Sequence, residues 1–150
     1  WEAVLPSRVE LGVDELHVFL SHWVEKSRVR VQERWQRIVM AAMKQAKRGI
    51  KPTIQVWPGV ADLPFAQTDR RIVLDVSGPS EVLERTPAGA SVFAVVGGEK
   101  GLQEGELDFL RREGFHPLSL GSSILRAHTA ATVIAGILSH RRHRAETKSE

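Results

Sequence analysis

Two glycine-containing stretches organise this chain: Val95-Val96-Gly97-Gly98-Glu99-Lys100-Gly101 and Leu118-Ser119-Leu120-Gly121-Ser122-Ser123-Ile124-Leu125-Arg126. Each ends a short apolar segment, at 91–96 and 116–120, of the kind that forms a buried strand. A helix predicted at 103–112 joins the two strands, so they are expected to lie parallel. Ligands bind at the carboxyl edge of such sheets, and glycine lets the backbone approach them closely. We therefore predict a ligand site where the two glycine loops meet.

The rest of the chain continues the alternation of strands and helices. Further strands are predicted at 15–21, 53–57 and 71–76, and further helices at 2–11, 31–48 and 130–138. This alternation indicates an α/β domain with a mostly parallel sheet. A loop at 77–80 follows the third of these strands and is in position to lie beside the glycine loops. The polar segment 140–150 is expected to form a flexible basic tail.

Composition excludes several classes of protein. The chain has 150 residues, 42% of them hydrophobic, which suits one soluble domain. It contains no cysteine, so disulfides, thiolate metal sites and cysteine nucleophiles are excluded. No apolar run reaches the roughly 18 residues that cross a bilayer. The six histidines show no metal-ligand spacing, so no metal is predicted. We expect a cytoplasmic protein that holds no metal and meets no membrane.

The positive charge is concentrated in one segment. The whole chain carries a net charge of +3, whereas residues 25–51 contain nine basic and two acidic residues. On the predicted helix at 31–48 and just before it, five basic residues share one stripe: Arg30, Arg34, Arg37, Lys44 and Arg48. Such a stripe is either a solvated surface or a contact for the phosphates of RNA, and both interpretations stay open.

The glycine loops match neither common phosphate-binding motif. Gly97 lacks the spacing of a dinucleotide-binding loop and of a P-loop, and the serines near Gly121 lack the strained turn of a nucleophilic serine. Main-chain groups and apolar side chains can instead hold an adenine-like ring. The predicted cofactor-binding residues are Leu74, Val96, Gly97, Gly98, Gly101, Leu118, Leu120, Gly121, Ile124 and Leu125, with Arg126 at the mouth of the site.

The same residues carry a resemblance to a known family. Residues 96–102 and 114–131 resemble the I-G-P-E-G-G-F … G-F-x-P-V-S-L-G-x-R-I-L-R-T-E-T-A signature of the RsmE family, in the SPOUT superfamily. Residues 10–13 match the family's E-L-G-V, and residues 33–38 match its E-R-W-x-R-I. The resemblance covers nearly the whole chain in order.

The resemblance implies a fold, a cofactor and an activity. The fold would be a SPOUT-type parallel sheet with helices on both faces and a C-terminal deep trefoil knot, formed by residues 1–139. The activity would be S-adenosyl-L-methionine-dependent methylation of N3 of a uridine in 16S ribosomal RNA of the small ribosomal subunit. The resemblance also implies a homodimer, and a small N-terminal RNA-binding domain that is absent ahead of Trp1.

The resemblance also implies roles for three residues. Arg126 would stabilise the anion of the base, and Glu99 or His128 would accept the N3 proton, although a loop-capping Glu99 and a solvent-facing His128 also fit. The chain departs from the family at five positions: Ser7, Ala41, Gly98, Lys100 and His128. Two alternatives therefore stay open: an RNA-binding module without turnover, and a SPOUT methyltransferase with a different RNA target.

Overall fold

The computed structural model describes residues 2–20 and 33–149, and the chain divides into two compact units, Trp1–Leu63 and Pro64–Glu150. Every pair of neighbouring strands in the two units is parallel among the described residues. The protein is therefore a mixed α/β protein, and the predicted parallel pairing is confirmed. The prediction of a single sheet is wrong, because each unit has a parallel sheet of its own.

The first unit contains a two-stranded parallel sheet. Its strands, β1 Glu15–Phe19 and β2 Thr53–Trp57, pair along their whole length, from Glu15 opposite Thr53 to Phe19 opposite Trp57. The elements of the unit are, in chain order, a 3-10 turn Glu2–Val4, α1 Leu5–Glu10, β1 Glu15–Phe19, α2 Glu33–Ala46, β2 Thr53–Trp57 and a 3-10 turn Val60–Asp62.

Helix α2 forms the core of this unit because its apolar residues recur at helical spacing. Its buried side chains are Trp35, Val39, Ala42 and Met43, and they pack with Leu5, Val9 and Ile54 in one cluster. Lys47 has a left-handed φ of 52°, which ends the helix before Gly49. The predicted start at Val31 lies outside the described residues.

Arg48 stabilises the first unit from within, which corrects its predicted place in an RNA-binding stripe. Its Nη1 donates to the carbonyl oxygens of Val9 at 3.1 Å and Val13 at 2.9 Å. Its Nη2 lies 3.5 Å from Asp14 Oδ1, and the side chain is only 16% exposed. The guanidinium therefore ties the end of α2 to the end of α1 and the turn that follows it, because helix ends leave carbonyl groups that can accept further hydrogen bonds.

The second unit contains a parallel sheet of three strands, β3 Arg70–Leu74, β4 Val92–Val95 and β5 His116–Leu118. Their order in the sheet is β4-β3-β5. Arg70 lies opposite Val92 at one end of the sheet, and Leu74 lies opposite Leu118 at the other. Since β3 is central, the connection through α3 carries the chain from one edge of the sheet to the other. The elements are β3 Arg70–Leu74, β4 Val92–Val95, α3 Glu104–Arg112, β5 His116–Leu118 and α4 Ala127–Thr147.

Two clusters hold the second unit together. Ile72, Leu118 and Ile134 join the sheet to α4 in one buried core. Phe65 makes edge-to-face contacts with three other phenylalanines, at ring-centroid distances of 5.1 to 6.4 Å from Phe115, Phe93 and Phe109. These contacts fix α3 and the strands that precede and follow it.

The C-terminal helix is longer than the sequence predicts. A helix at 130–138 and a flexible tail from residue 140 are expected, whereas α4 runs from Ala127 to Thr147. The prediction that the helix ends at 138 is wrong, because residues 139–147 contain no glycine or proline and include several good helix formers.

Candidate functional site

The second unit contains a cavity of about 430 Å³ at the carboxyl ends of all three strands. One wall is the end of β3, from Leu74 to Val76. A second wall is the loop after β4, from Val96 to Glu99 with Gly101 and Leu102. The third is formed by most of the segment 120–127 after β5, and Leu107 of α3 and Ala130 of α4 complete the cavity. The cavity thus lies at the sheet edge where parallel α/β proteins bind ligands.

The structure brings the predicted cofactor-binding residues together, with one exception. All of the ten predicted residues except Leu118 line this cavity. Leu118 is 1% exposed and packs in the core with Ile72 and Ile134. The predicted contact of the Leu118 side chain with a ligand is corrected: Leu118 is the last residue of the strand at 116–118, and the sheet and the C-terminal helix bury its side chain in the core.

The glycines at the cavity differ in backbone conformation and in the space that a side chain would have. At Gly97 a Cβ would lie 2.9 Å from the backbone nitrogen of Leu102, so only glycine lets the two ends of this loop come so close. Gly101 has a left-handed φ of 72° and donates its N–H to the Gly98 carbonyl at 2.9 Å, closing the turn. A Cβ on Gly98 would meet nothing within 4 Å. The loop therefore exposes main chain beside open space.

The segment after β5 is held by short polar contacts. The Ser119 hydroxyl donates to the Gly121 carbonyl at 2.9 Å, and the Ser119 N–H donates to the Pro79 carbonyl at 3.3 Å. The prediction that the 77–80 loop lies beside the glycine loops is thus confirmed for the loop after β5. Beyond Gly121, the side chain of Ile124 is 87% exposed at the lip of the cavity.

Asp75 is a cavity residue that the sequence prediction missed. Its Oδ1 accepts hydrogen bonds from the Ser77 N–H at 2.9 Å and the Ser77 hydroxyl at 2.8 Å, and its Oδ2 lies 3.4 Å from Arg111 Nη2. The two bonds from Ser77, with the Arg111 guanidinium, hold the pKa of the Asp75 carboxyl below its usual range. The sequence signal was an acidic residue near the carboxyl end of the strand predicted at 71–76, after three apolar residues.

Replacing this carboxyl by an amide tests its contribution to stability. Because the folded state lowers the pKa of Asp75, the stabilisation is fully present above the unfolded-state pKa of about 4 and is lost as the pH falls further. Asp75→Asn is therefore expected to reduce the free energy of unfolding by about 1 kcal/mol at neutral pH. Denaturant unfolding across the acid range checks this, with the exposed Asp62→Asn as the control. A difference from the parent that persists at the lowest pH would contradict it.

The three predicted catalytic residues fall into two groups. Arg126 and Glu99 both line the cavity and both are exposed. His128 follows in the first turn of α4, is exposed, and lies outside the residues that line the cavity. The structure thus brings Arg126 and Glu99 to the same cavity, and it places His128 beyond it.

The predicted basic stripe is only partly available on α2. Arg37 and Lys44 are exposed, and Arg34 Nε lies 3.2 Å from Glu2 Oε2. Arg48 is used in packing, and Arg30 lies outside the described residues. The exposed cations of this helix are therefore Arg34, Arg37 and Lys44, with Arg34 held by an acidic neighbour.

Two kinds of feature are absent from residues 2–20 and 33–149. No group of three or more His, Asp or Glu side chains is arranged to hold a metal ion in this part of the chain. No helix in the same ranges is long and apolar enough to cross a membrane.

A parallel α/β unit whose strand ends surround a cavity of glycine main chain and apolar side chains has the arrangement in which proteins of this class bind nucleotide-like ligands. Comparison with known families identifies it further. The chain belongs to the RNA methyltransferase domain family, whose model matches residues 1–139.

Relatives of known name agree with this family. The chain is 32% identical over 141 residues to the ribosomal RNA small subunit methyltransferase E of Aquifex aeolicus, which covers 91% of this chain and 61% of that protein. It is 31% identical over 150 residues to the protein of the same name from a Synechocystis species, covering 89% of this chain and 46% of that protein. The resemblance to the RsmE family is therefore confirmed, and the chain spans about half the length of these curated relatives.

Solved structures share the fold. A probable rRNA-methyltransferase from Porphyromonas gingivalis has a TM-score of 0.82 and 29% identity, over 96% of this chain and 63% of that chain. A ribosomal RNA small subunit methyltransferase E from Neisseria gonorrhoeae, solved bound to S-adenosyl methionine, has a TM-score of 0.81 over 93% of this chain and 60% of that chain. At 22% identity the second match establishes the fold alone.

Proposed function

We propose that this chain is the catalytic part of an S-adenosylmethionine-dependent methyltransferase that methylates N3 of a uridine in 16S ribosomal RNA. The observation that carries the proposal is the cavity at three strand ends, which gathers nearly all of the residues predicted to bind the cofactor. Membership of the RNA methyltransferase domain family and the names of the relatives support it.

The residues of the cavity fit the cofactor. A volume of about 430 Å³ lies within the usual range of small-molecule sites. Gly98, Gly101 and Gly121 line it and have open space beside their Cα atoms, so main-chain groups there can hydrogen-bond an adenine edge. Leu74, Val96 and Leu120 supply apolar surface for the ring. When bound, S-adenosylmethionine supplies an electrophilic methyl group.

Two charged residues at the cavity have the chemistry that the reaction requires. A uridine is neutral at N3 and must lose its proton as the N3–methyl bond forms and the methyl–sulfur bond breaks. Glu99 accepts this proton in our proposal, since it lines the cavity whereas His128 lies outside it. The Arg126 guanidinium stabilises the negative charge that develops on the base. Holding the two reactants in line supplies much of the rate enhancement.

Exposed apolar side chains at the cavity favour a homodimer. Ile124 is 87% exposed and Val76 is 63% exposed, and both lie at the lip. We propose that a second copy of the chain covers them, because both side chains lie at the same cavity and apolar surface exposed together marks an interface. We also propose the deep trefoil knot of the SPOUT fold at the C-terminal end, supported by segment 120–127 lying beside the loop after β4.

The RNA is proposed to contact the exposed cations of α2. Arg37 and Lys44 are exposed on this helix, with Met40 and Ala41 between them. A target base must be unstacked to enter a cavity of this kind, so the substrate is a single-stranded part of the RNA. The small ribosomal subunit is the partner in this proposal, and the cytoplasm is its location.

Methyl transfer tests the function directly. The chain is expected to transfer labelled methyl from S-adenosylmethionine to 16S ribosomal RNA, and mass spectrometry of the digested nucleosides is expected to find the label on N3 of uridine. Label on another nucleotide would favour a different RNA target. Binding of both cofactor and RNA without transfer would favour the RNA-binding module instead. The departures at Lys100 and His128 lie outside the cavity lining, which favours transfer.

A further inference from the structure

Helix α4 ends in a basic segment that the proposed reaction does not use. The family model ends at residue 139, and we call residues 140–149 the C-terminal extension. The basic residues of this extension are Arg141, Arg142, Arg144 and Lys148, together with His140 and His143, and its one acidic residue is Glu146. These residues lie outside the part of the chain that the family model matches.

The C-terminal extension is an ordered continuation of α4, which runs to Thr147. Arg141 donates a hydrogen bond to the carbonyl oxygen of Thr86. Thr86 is itself buried, and its hydroxyl donates to the Val82 carbonyl at 2.9 Å. The first turn of the extension is therefore anchored to the same unit that forms the cavity, so its charges are presented at a fixed place.

Two cations and one histidine of the extension share one exposed face. His140, Arg144 and Lys148 are four residues apart, so they lie above one another on successive turns, and all three are exposed. The helix macrodipole favours cations in the last turn only, which accounts for Arg144 and Lys148. It does not account for Arg142, which is exposed a turn earlier, and exposed cations along a helix are the surface that a phosphate backbone recognises.

We propose that the C-terminal extension binds the phosphate backbone of the RNA substrate, away from the cavity that holds the reacting base. Helix α4 begins at the cavity, where Ala127 and Ala130 line it. At 1.5 Å per residue, the exposed cations lie about 20 to 30 Å farther along the helix. One RNA strand can therefore reach both places. The inference rests on the proposed function, because it assumes that the nucleotide in the cavity belongs to RNA.

The salt dependence of RNA binding tests the proposal. The probe is a fluorescein-labelled single-stranded RNA of about 20 nucleotides, long enough to span this distance. For each phosphate that a variant no longer binds, the slope of log K against log salt is expected to fall by about 0.7 and the affinity by roughly threefold. The Arg144→Gln variant is expected to lose one phosphate contact. The double variant, Arg144→Gln with Lys148→Gln, is expected to lose two. Arg112→Gln, an equal change of charge on the exposed side of α3, is the control and is expected to keep the parent slope.

The outcomes separate this inference from the proposed function. Slopes for the Arg144 variants equal to that of the Arg112 control would overturn the inference, as would a parent chain that does not bind the RNA. Binding to anionic phospholipid vesicles is measured with the same variants. If the Arg144 variants lose affinity for the vesicles but keep the parent affinity for RNA, the inference is also overturned. Calorimetric titration with S-adenosylmethionine in the same samples reports on the cavity alone. If every variant binds the cofactor normally and the Arg144 variants have a smaller slope of log K against log salt, the result supports both the inference and the proposed function.

Discussion

Gly97→Ala is expected to weaken S-adenosylmethionine binding by about tenfold or more and to lower the free energy of unfolding by roughly 1–3 kcal/mol. The added Cβ would lie 2.9 Å from Leu102 N and 3.0 Å from the carbonyl carbon of Gly101. Both atoms belong to the backbone, so the loop must open to accept the methyl group. An opened loop moves the main-chain groups that form one wall of the cavity. Thermal unfolding and calorimetric titration measure the two effects.

Two other glycines provide matched controls for this change. A Cβ on Gly98, the next residue of the same loop, or on Gly105 in α3 meets nothing within 4 Å, and neither residue has a left-handed φ. Gly98→Ala and Gly105→Ala are therefore expected to change the free energy of unfolding by less than about 1 kcal/mol. Equal losses at Gly97 and Gly98 would contradict the close approach of Gly97 to Leu102 as the cause.

Arg126→Gln is expected to lower the rate of methyl transfer by about 10²- to 10³-fold, because a preorganised cation facing the developing charge is removed. Cofactor affinity should change by no more than about twofold, since the guanidinium is proposed to act on the base. Arg126→Lys keeps the charge and is expected to recover part of the rate. Single-turnover kinetics and calorimetry separate the two quantities.

The control for the Arg126 substitution removes one positive charge from another exposed site of the second unit. Arg112→Gln changes an exposed arginine of α3 that lies outside the cavity lining, and it is expected to keep the parent rate of methyl transfer. If Arg126→Gln weakens cofactor binding as much as it slows transfer, Arg126 would be a cofactor-binding residue and its proposed role would be wrong.

Local sequence signals predicted the bounds of a strand or helix well where proline or glycine flanks an apolar run. Strand β2 was predicted at 53–57 and runs from Thr53 to Trp57, because Pro52 and Pro58 bound it on both sides. Helix α4 has no such signal at its end, so its last two turns were missed. The order of the three strands in the second unit is set by tertiary packing, which periodicity does not report.

The candidate site was predictable where the backbone itself forms it. The glycine loops end strands, and the carboxyl ends of parallel strands meet at one edge, so the cavity follows from the alternation of elements. The errors concern side chains. Leu118 and Arg48 are drawn into the interior by partners distant in sequence, and Asp75 reaches the cavity because Ser77 and Arg111 hold it there. Apart from Ser77, which is two residues from Asp75, these partners are distant in the sequence, so local spacing does not report them.

Calorimetric titration of the parent chain with S-adenosylmethionine is the decisive measurement, since it asks whether the cavity binds the cofactor at all. Gly121→Val is the paired variant, because Gly121 has a φ of 148° that a β-branched residue adopts only with strain. We predict saturable binding by the parent, a rise in its melting temperature with added cofactor, and a marked loss of both in the variant. A parent chain that shows neither heat of binding nor a thermal shift at saturating cofactor would contradict the assignment of the cavity as a cofactor site.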